Sequence, residues 1–572
     1  MKKSILLLLA ALFILSTQNS PGEGFFYVRL DSTGTGFNTP GQGSGYCVLS
    51  ADFKSLTYRF TVNNLWGTIT AAHFHFLPTG GVIHPITFTG NTSSGTWTNI
   101  PDTLLKYFFT QQIYVNVHTT FAGAGEIRGI PISRQSGFEV SIDNTGSGSG
   151  SPATGSGYVL IKPSASGASL DYRFTYAGLE AARTAAHFHA LPSGAVVHPI
   201  TFTDSTADQT WANVPDSILT LLLRGQLYVN IHSSVAPGGE IRGTPTLIGE
   251  LASYAQVEGT VSTAKGTAWA VLTNNLSKIQ YSLTYAGVSS PFTGAHIHSN
   301  PSGNIVYEQF VFGSGNTTTG EWTGLTDVNI QDFIQERLYV NIHSSLHPNN
   351  EISGTLILDD GVFTATLDGT QASTSSTARG TGVVFFQNDS VKYLVTIAGL
   401  NGTYTAAHIH ASPGGAVLKP TPFVDSTASG VWLPISDDAL GLLNTGNLYF
   451  NVHSSSNPGG EIRGNIGLSS PVVASVEQGS SRVPTSFSLR QNYPNPFNPS
   501  TTIEFDLPTK SHVTLKIYSV LGQEVAELVN EVREAGIQKV TYDAHQLASG
   551  LYFYKLTGDN KFSNTMKMLL LK

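Results

Sequence analysis

The chain has 572 residues, of which only 12% are charged and 40% apolar, with a formal net charge of −8 and one cysteine. That length exceeds one domain of roughly 100–200 residues. An acidic balance without a basic stripe excludes nucleic acid as a partner, and the lone thiol of Cys47 excludes an intramolecular disulfide or a cysteine-based zinc site.

In chain order, Lys2 and Lys3 precede the apolar run from Ile5 to Leu15 and a polar exit. This predicts a secretory signal peptide over residues 1–20. The run is too short to span a bilayer, and no transmembrane segment is expected elsewhere. From Phe25 onward, short alternating runs with many Thr, Ser and Gly predict half-buried strands. Phe25 to Leu30, Gly45 to Leu49 and Ser55 to Val62 open the first unit, and Phe138 to Ile142, Gly157 to Ile161 and Ser169 to Tyr176 open the second. The Gly/Ser-rich stretch between Asn144 and Gly157 lacks periodicity and is expected to be mobile. Leu104 to Phe109 and Ile218 to Leu223 read as short helices, with Asp102 and Asp216 as their N-caps.

One sentence occurs four times, at a pitch of about 110 residues. A period that long is an array of domains, since solenoid repeats run to about 20–50 residues. Each copy carries a His-x-His strand, a Tyr-x-Asn-x-His strand about 40 residues on, and a Glu-Ile-x-Gly hairpin strand, in which x is arginine in repeats one, two and four. The expected repeats cover 25–133, 137–248, 252–359 and 362–468. With gaps of a few residues, they should stack as a semi-rigid rod or zigzag. Residues 469–486 read as a linker. Residues 487–572 then predict a small all-β sandwich, with strands at Thr501 to Leu507, Val513 to Ser519, Gln538 to Asp543, Gly550 to Thr557 and Thr565 to Leu571.

The motifs Ala-Ala-His-x-His, Leu-Tyr-Val-Asn-Ile-His and Pro-Gly-Gly-Glu-Ile-Arg-Gly resemble the CHRD domain, named for chordin. Repeats two and four carry them nearly in full; repeat one has Ala122-Gly123-Ala124-Gly125 at the Pro-Gly-Gly turn, and repeat three has Ser353 in place of the arginine. The resemblance implies four tandem immunoglobulin-like antiparallel β-sandwiches, distantly similar to copper/zinc superoxide dismutases. The C-terminal segment resembles the type A sorting domain of the type IX secretion system, through Asn492-Tyr493-Pro494-Asn495-Pro496-Phe497-Asn498-Pro499, Val520-Leu521-Gly522-Gln523 and Gly550-Leu551-Tyr552. That implies the type IX machinery as a partner, and export to the cell surface or the medium.

Side chains alternate across a strand, so each His-x-His pair shares a face. The candidate metal ligands are His73, His75, His84 and His118 in repeat one and His187, His189, His198 and His232 in repeat two. Repeat three offers His296, His298 and His343, and repeat four His408, His410 and His453. Imidazoles in this pattern suit a divalent metal such as zinc or copper. The competing reading is a structural polar network with Asn116, Glu126, Arg128, Asn230, Glu240, Arg242, Asn341, Glu351, Asn451, Glu461 and Arg463, in which Glu126 and Arg128 pair. In repeats three and four the glutamate would complete a metal set. The tryptophans Trp97, Trp211, Trp322 and Trp432 read as core. No catalytic motif stands out, so a non-enzymatic binding or structural role is expected, with an extracellular protein or glycan as ligand. The alternative is a metal-dependent, dismutase-like activity.

Overall fold

Alternation of apolar and polar residues should give strands, and a computed structural model of the chain is built mainly of them. It describes residues 24–468 and 487–571, apart from 135, 164–166, 274, 309, 313–315, 360, 388–389, 413, 490–491, 493–494, 496, 521, 534–535 and 559–561. The expected signal peptide and linker lie outside the described residues. The chain divides into two compact units, Met1–Ala474 and Ser475–Lys572.

The fold is all-β. In repeat one, Gly24–Asp31, Gln42–Leu49, Ser55–Asn63 and Thr92–Thr98 form one layer of antiparallel neighbours. Gly81–Pro85, Ile69–Phe76, Ile113–Thr119 and Ile127–Gly129 form the other. Asp31 pairs with Arg128 and joins the two into one wound sheet. Phe26, Val28, Phe60, Phe74, Val115 and Val117 are fully buried between the layers. Repeat two has the same order, as five- and four-stranded sheets bridged between Asp143 and Arg242.

One short helix interrupts each repeat: α1 (Asp102–Phe109), α2 (Asp216–Leu223), α3 (Asp327–Ile334) and α4 (Asp437–Asn444). The expected aspartate caps of the first two are corrected. Pro101 and Pro215 occupy the cap positions and make no side-chain cap bond. In α3 and α4, Thr326 and Ser436 do cap, by accepting from the backbone N–H three residues on.

The expected rod is also corrected, because the first repeat touches the last. Lys106 Nζ at α1 lies 2.6 Å from Asp438 at α4, and Gln112 Nε2 donates to Asp437 at 2.6 Å. Between repeats two and three, Arg224 Nε donates to Asp327 at 2.9 Å and Arg337 lies 3.0 Å from Asp216. Repeats one and two pack sheet on sheet through reciprocal bonds: Ser44 Oγ donates to the Ser156 carbonyl at 2.7 Å, and Ser156 Oγ to the Ser44 carbonyl at 2.9 Å. Repeats three and four pack likewise around Thr267–Thr396 at 2.8 Å and a buried cluster that includes Tyr254, Trp269, Val383 and Phe385. The four repeats therefore close a ring of contacts. Small hydroxyl residues on the outer faces let the sheets approach, and buried hydroxyls bond across the interfaces, Ser156 with Thr61 and Ser282 with Thr381 among them, as burial favours.

The second unit is a two-layer sandwich. Ser488–Leu489, Ser500–Leu507 and Gly536–Asp543 face Glu524–Arg533, Ser511–Ser519, Gly550–Gly558 and Phe562–Leu570. Ile503, Phe505, Leu515, Ile517, Leu556 and Met568 fill it. Glu524–Arg533 is a strand that periodicity missed. It is an acidic edge strand with most residues exposed, the kind of edge that charge protects from further pairing.

Candidate functional site

The site of each repeat lies on the layer that carries the His-x-His strand. In Ile69–Phe76, Phe74 points into the core while His73 and His75 point outward. On the neighbouring strand Asn116 faces His73, Tyr114 faces His75 and His118 faces Ala71. The same register places His187 and His189 beside His232, His296 and His298 beside His343, and His408 and His410 beside His453. In every repeat one ring nitrogen from each of the three histidines lies within 4.8 Å of the other two.

The hydrogen bonds settle the tautomers. A carbonyl only accepts, so Nδ1–H of His75 must donate to Gly80 at 2.9 Å and Nδ1–H of His118 to Gly123 at 2.9 Å. In a neutral ring Nε2 then carries a bare lone pair. The Nε2 atoms of His75 and His118 face each other at 3.3 Å. In repeats two and four His232 and His453 donate through Nδ1 to Pro237 and Pro458 at 2.9 and 2.8 Å. Their Nε2 atoms lie 3.4 and 3.3 Å from Nδ1 of His187 and His408. In repeat three the equivalent distance, His296 to His343, is 3.0 Å. Two imidazole nitrogens on a tetrahedral zinc with bonds of about 2.0–2.1 Å stand about 3.3–3.4 Å apart.

His189, His298 and His410 each donate Nδ1–H to a glycine carbonyl five residues on, Gly194, Gly303 or Gly415, at 2.8–2.9 Å. Their buried Nε2 atoms have no hydrogen-bond partner. These glycines have φ of 67–69°, a left-handed turn that glycine adopts without strain. Such an outer bond fixes ring orientation and tautomer in metal-ligating histidines. Sequence reasoning missed this His-x-x-x-x-Gly spacing, although it is visible in all four copies. Burial, then the neighbouring rings, pushes the pKa of His73, His187 and His408 below the ordinary histidine value. The clusters are thereby biased toward the neutral, ligating form.

Four expectations are corrected. His84 and His198 do not join the trios. They stack at 7° on Trp97 and Trp211, with centroids 4.5 and 4.0 Å apart. Tyr307 stacks on Trp322 at the same place in repeat three, and repeat four has Lys419 there, so a ligating side chain is not shared by the four copies. The tryptophans themselves are buried. Glu126 does not pair with Arg128. It is fully buried and accepts from the N–H of Trp66 at 2.6 Å and of Gly67 at 3.2 Å, and from Thr119 Oγ1 at 2.7 Å. Glu240, Glu351 and Glu461 likewise accept from the loop N–H of Glu180, Ser289 and Asn401. Glu351 and Glu461 are thus clamped under a loop and add no ligand to the trios. Burial pushes the Glu240 carboxyl up, but bonds from Ser151, Ser233 and the Glu180 N–H outweigh it and hold the group below its ordinary value. The Gly/Ser loop expected to be mobile is fastened by the same residue. Ser147 and Ser149 donate to the Glu240 carbonyl at 2.7 and 2.6 Å, and Ser151 to its carboxylate at 2.6 Å.

The arginines stack instead. Arg128, Arg242 and Arg463 lie 5.6, 4.4 and 3.9 Å from the ring centroids of Tyr114, Tyr228 and Tyr449, and each tyrosine also stacks on a site histidine, at 5.1 Å. Asn116, Asn230, Asn341 and Asn451 donate to a carbonyl of the following turn at 3.0–3.2 Å. These residues brace the histidine strands.

Residues 26–130, 135–244, 249–356 and 363–466 each match the CHRD domain, and residues 491–571 match the secretion system C-terminal sorting domain. Chordin of Danio rerio is 24% identical over 420 residues, which cover 65% of this chain and 44% of chordin. The chain thus spans less than half the length of that relative. Among solved structures, Salmonella alpha-2-macroglobulin reacted with methylamine is 10% identical and covers 97% of this chain and 40% of its own, with a TM-score of 0.16. A tetra-tandem repeat in the extending region of a large adhesion protein is 13% identical and covers 72% and 97%, with a TM-score of 0.12. Neither score supports a structural correspondence.

Proposed function

From the premise that this chain belongs to the CHRD domain family, we propose that it is a metal-binding protein whose four repeats each hold one divalent ion of the zinc or copper class on three imidazoles. It is a secreted multidomain protein, carried out by its C-terminal sorting domain. The observation that carries the metal reading is the facing pair of Nε2 lone pairs in His75 and His118, 3.3 Å apart. Two acceptors at that distance repel unless a cation or a shared proton lies between them. The unpartnered, buried Nε2 atoms of His189, His298 and His410 extend the argument to the other repeats, because a buried polar atom without a partner costs about 1–3 kcal/mol.

His73, His75 and His118 would hold the ion in repeat one, with the equivalent trios in the others. Three ligands leave a fourth position, and His73 and His118 are only half-buried, so that position faces solvent. When bound, the ion supplies a Lewis-acidic point for an exogenous ligand. Four such points on one closed body suit multivalent binding, in which linked weak sites gain avidity. Zinc titration of the full chain after chelator dialysis tests the reading. About four equivalents bound per chain are expected, and no binding overturns it.

A further inference from the structure

Repeat one departs from its three sisters at two adjoining places, and the sisters serve as internal controls. The first is a cluster of exposed aromatic rings. Phe37, Trp66 and Phe121 are 39%, 59% and 45% exposed. Phe121 packs edge-on against Trp66 at 5.0 Å and against Phe37 at 5.6 Å. The residues at the Trp66 position, found by their N–H bond to the buried glutamate, are Glu180, Ser289 and Asn401. At the Phe121 position stand Val235, Leu346 and Ser456, and at the Phe37 position Ser149, Thr260 and Thr374. Three loops that meet in space are aromatic together in repeat one, and none is aromatic elsewhere. The platform is held rigid. Trp66 N–H donates to Glu126, and Thr68 and Thr120 exchange bonds at 2.9 and 3.0 Å.

The second departure is a cavity of about 680 Å³ that begins at Leu65 and Gly67, on either side of Trp66. In repeat two the corresponding space is plugged by Tyr176, Arg183 and Phe202, with Arg183 bonded to the Tyr176 hydroxyl and lying over the Phe202 ring. Tyr285, Phe292 and Phe312 interlock there in repeat three, and Tyr404 and Phe423 in repeat four. Repeat one has Val62 and Ile69 where repeat two has the tyrosine and arginine, so the gap between its layers stays open. Asn64, Thr68, Thr70, Thr87 and Asn91 line it, and no lining residue is charged.

We propose that this aromatic platform and open cavity form a binding site for a neutral oligosaccharide, present in repeat one alone. An exposed contiguous apolar patch beside a concavity marks an interaction site. Aromatic faces offer stacking surface to the C–H faces of pyranose rings. Amides and hydroxyls match sugar hydroxyls, and the uncharged lining gives an ionic ligand no counter-charge. A flat hydrophobic interface with a second protein would not call for a cavity lined by asparagine and threonine.

The test is calorimetry of the full chain with maltohexaose, cellohexaose, laminarihexaose and chitohexaose, beside a heparin-derived hexasaccharide. At least one neutral chain should bind, and the anionic one should not. Trp66→Ala should weaken binding roughly tenfold or more, as loss of a central aromatic anchor does. Phe121→Ser, which installs the residue of repeat four, and Ile69→Arg, which installs the plug of repeat two, should each weaken it as well. Unchanged thermal unfolding of Phe121→Ser keeps the result independent of any folding defect in the other variants. The proposal is overturned if no neutral chain binds, if binding survives all three substitutions, or if the parent is a dimer that Trp66→Ala makes monomeric.

Discussion

Nε2 of His75 and Nε2 of His118 stand 3.3 Å apart while both Nδ1–H groups are committed to backbone carbonyls. The two rings come from neighbouring antiparallel strands, and their backbone bonds aim both lone pairs at one point. The protein thus holds the geometry of a tetrahedral edge through bonds that need no ion to form.

If each trio is an independent site, His189→Ala should lower zinc stoichiometry by one and leave three equivalents bound. Saturating zinc should also raise the unfolding temperature of the parent. A ligand at 100 times its Kd stabilises the folded state by about 2.7 kcal/mol per site. Unchanged stoichiometry in the variant would show that His189 ligates nothing.

Without metal, acid should weaken the fold in the histidine range. Burial holds His73, His187, His296, His343 and His408 below the ordinary histidine value. As pH falls below about 6.5, the unfolded chain takes up protons that the folded chain refuses, so stability rises with pH across that window. Urea midpoints of the chelator-treated protein should fall between pH 7.5 and 5.5. A flat profile would contradict the assignment of neutral, buried rings.

Ile409 is fully buried on the face opposite His408 and His410. Ile409→Ala should cost about 2–5 kcal/mol by leaving a core cavity. A change below about half a kcal/mol, within the range of surface substitutions, would contradict the strand parity on which the site rests.

Contact between α1 and α4 makes the repeats a closed set. Cysteines placed at Gln112 and Asp437, whose side chains meet at 2.6 Å, should be joined within one chain by a short bis-maleimide. The native Cys47 is fully buried and its thiol pKa is raised by that burial, so it should not compete. An open rod would give cross-links only between chains.

The sorting domain has its own core, so the four repeats can fold without it. Deletion of 487–572 should therefore leave the remaining chain in the periplasm of a host with type IX secretion. Equal surface display of the truncated chain would refute the address.

Much of this protein is local in origin and so can be read from its sequence. Period-2 alternation puts Phe74, Phe188, Ile297 and Ile409 inward and the flanking histidines outward, because a strand allows no other arrangement. The long period identifies repeated domains, and the motifs identify the family. What the sequence could not settle depends on neighbours that strand parity does not see. Glu126 precedes its strand and turns under a loop because two backbone N–H groups wait there. His84 shares the neighbourhood of His73 and His75 but lies against Trp97, on the other side of the layer. The ring of repeats is decided last and by tertiary structure alone. Lys106 and Asp438 are 332 positions apart, and no local preference records a meeting that depends on how every intervening interface is angled.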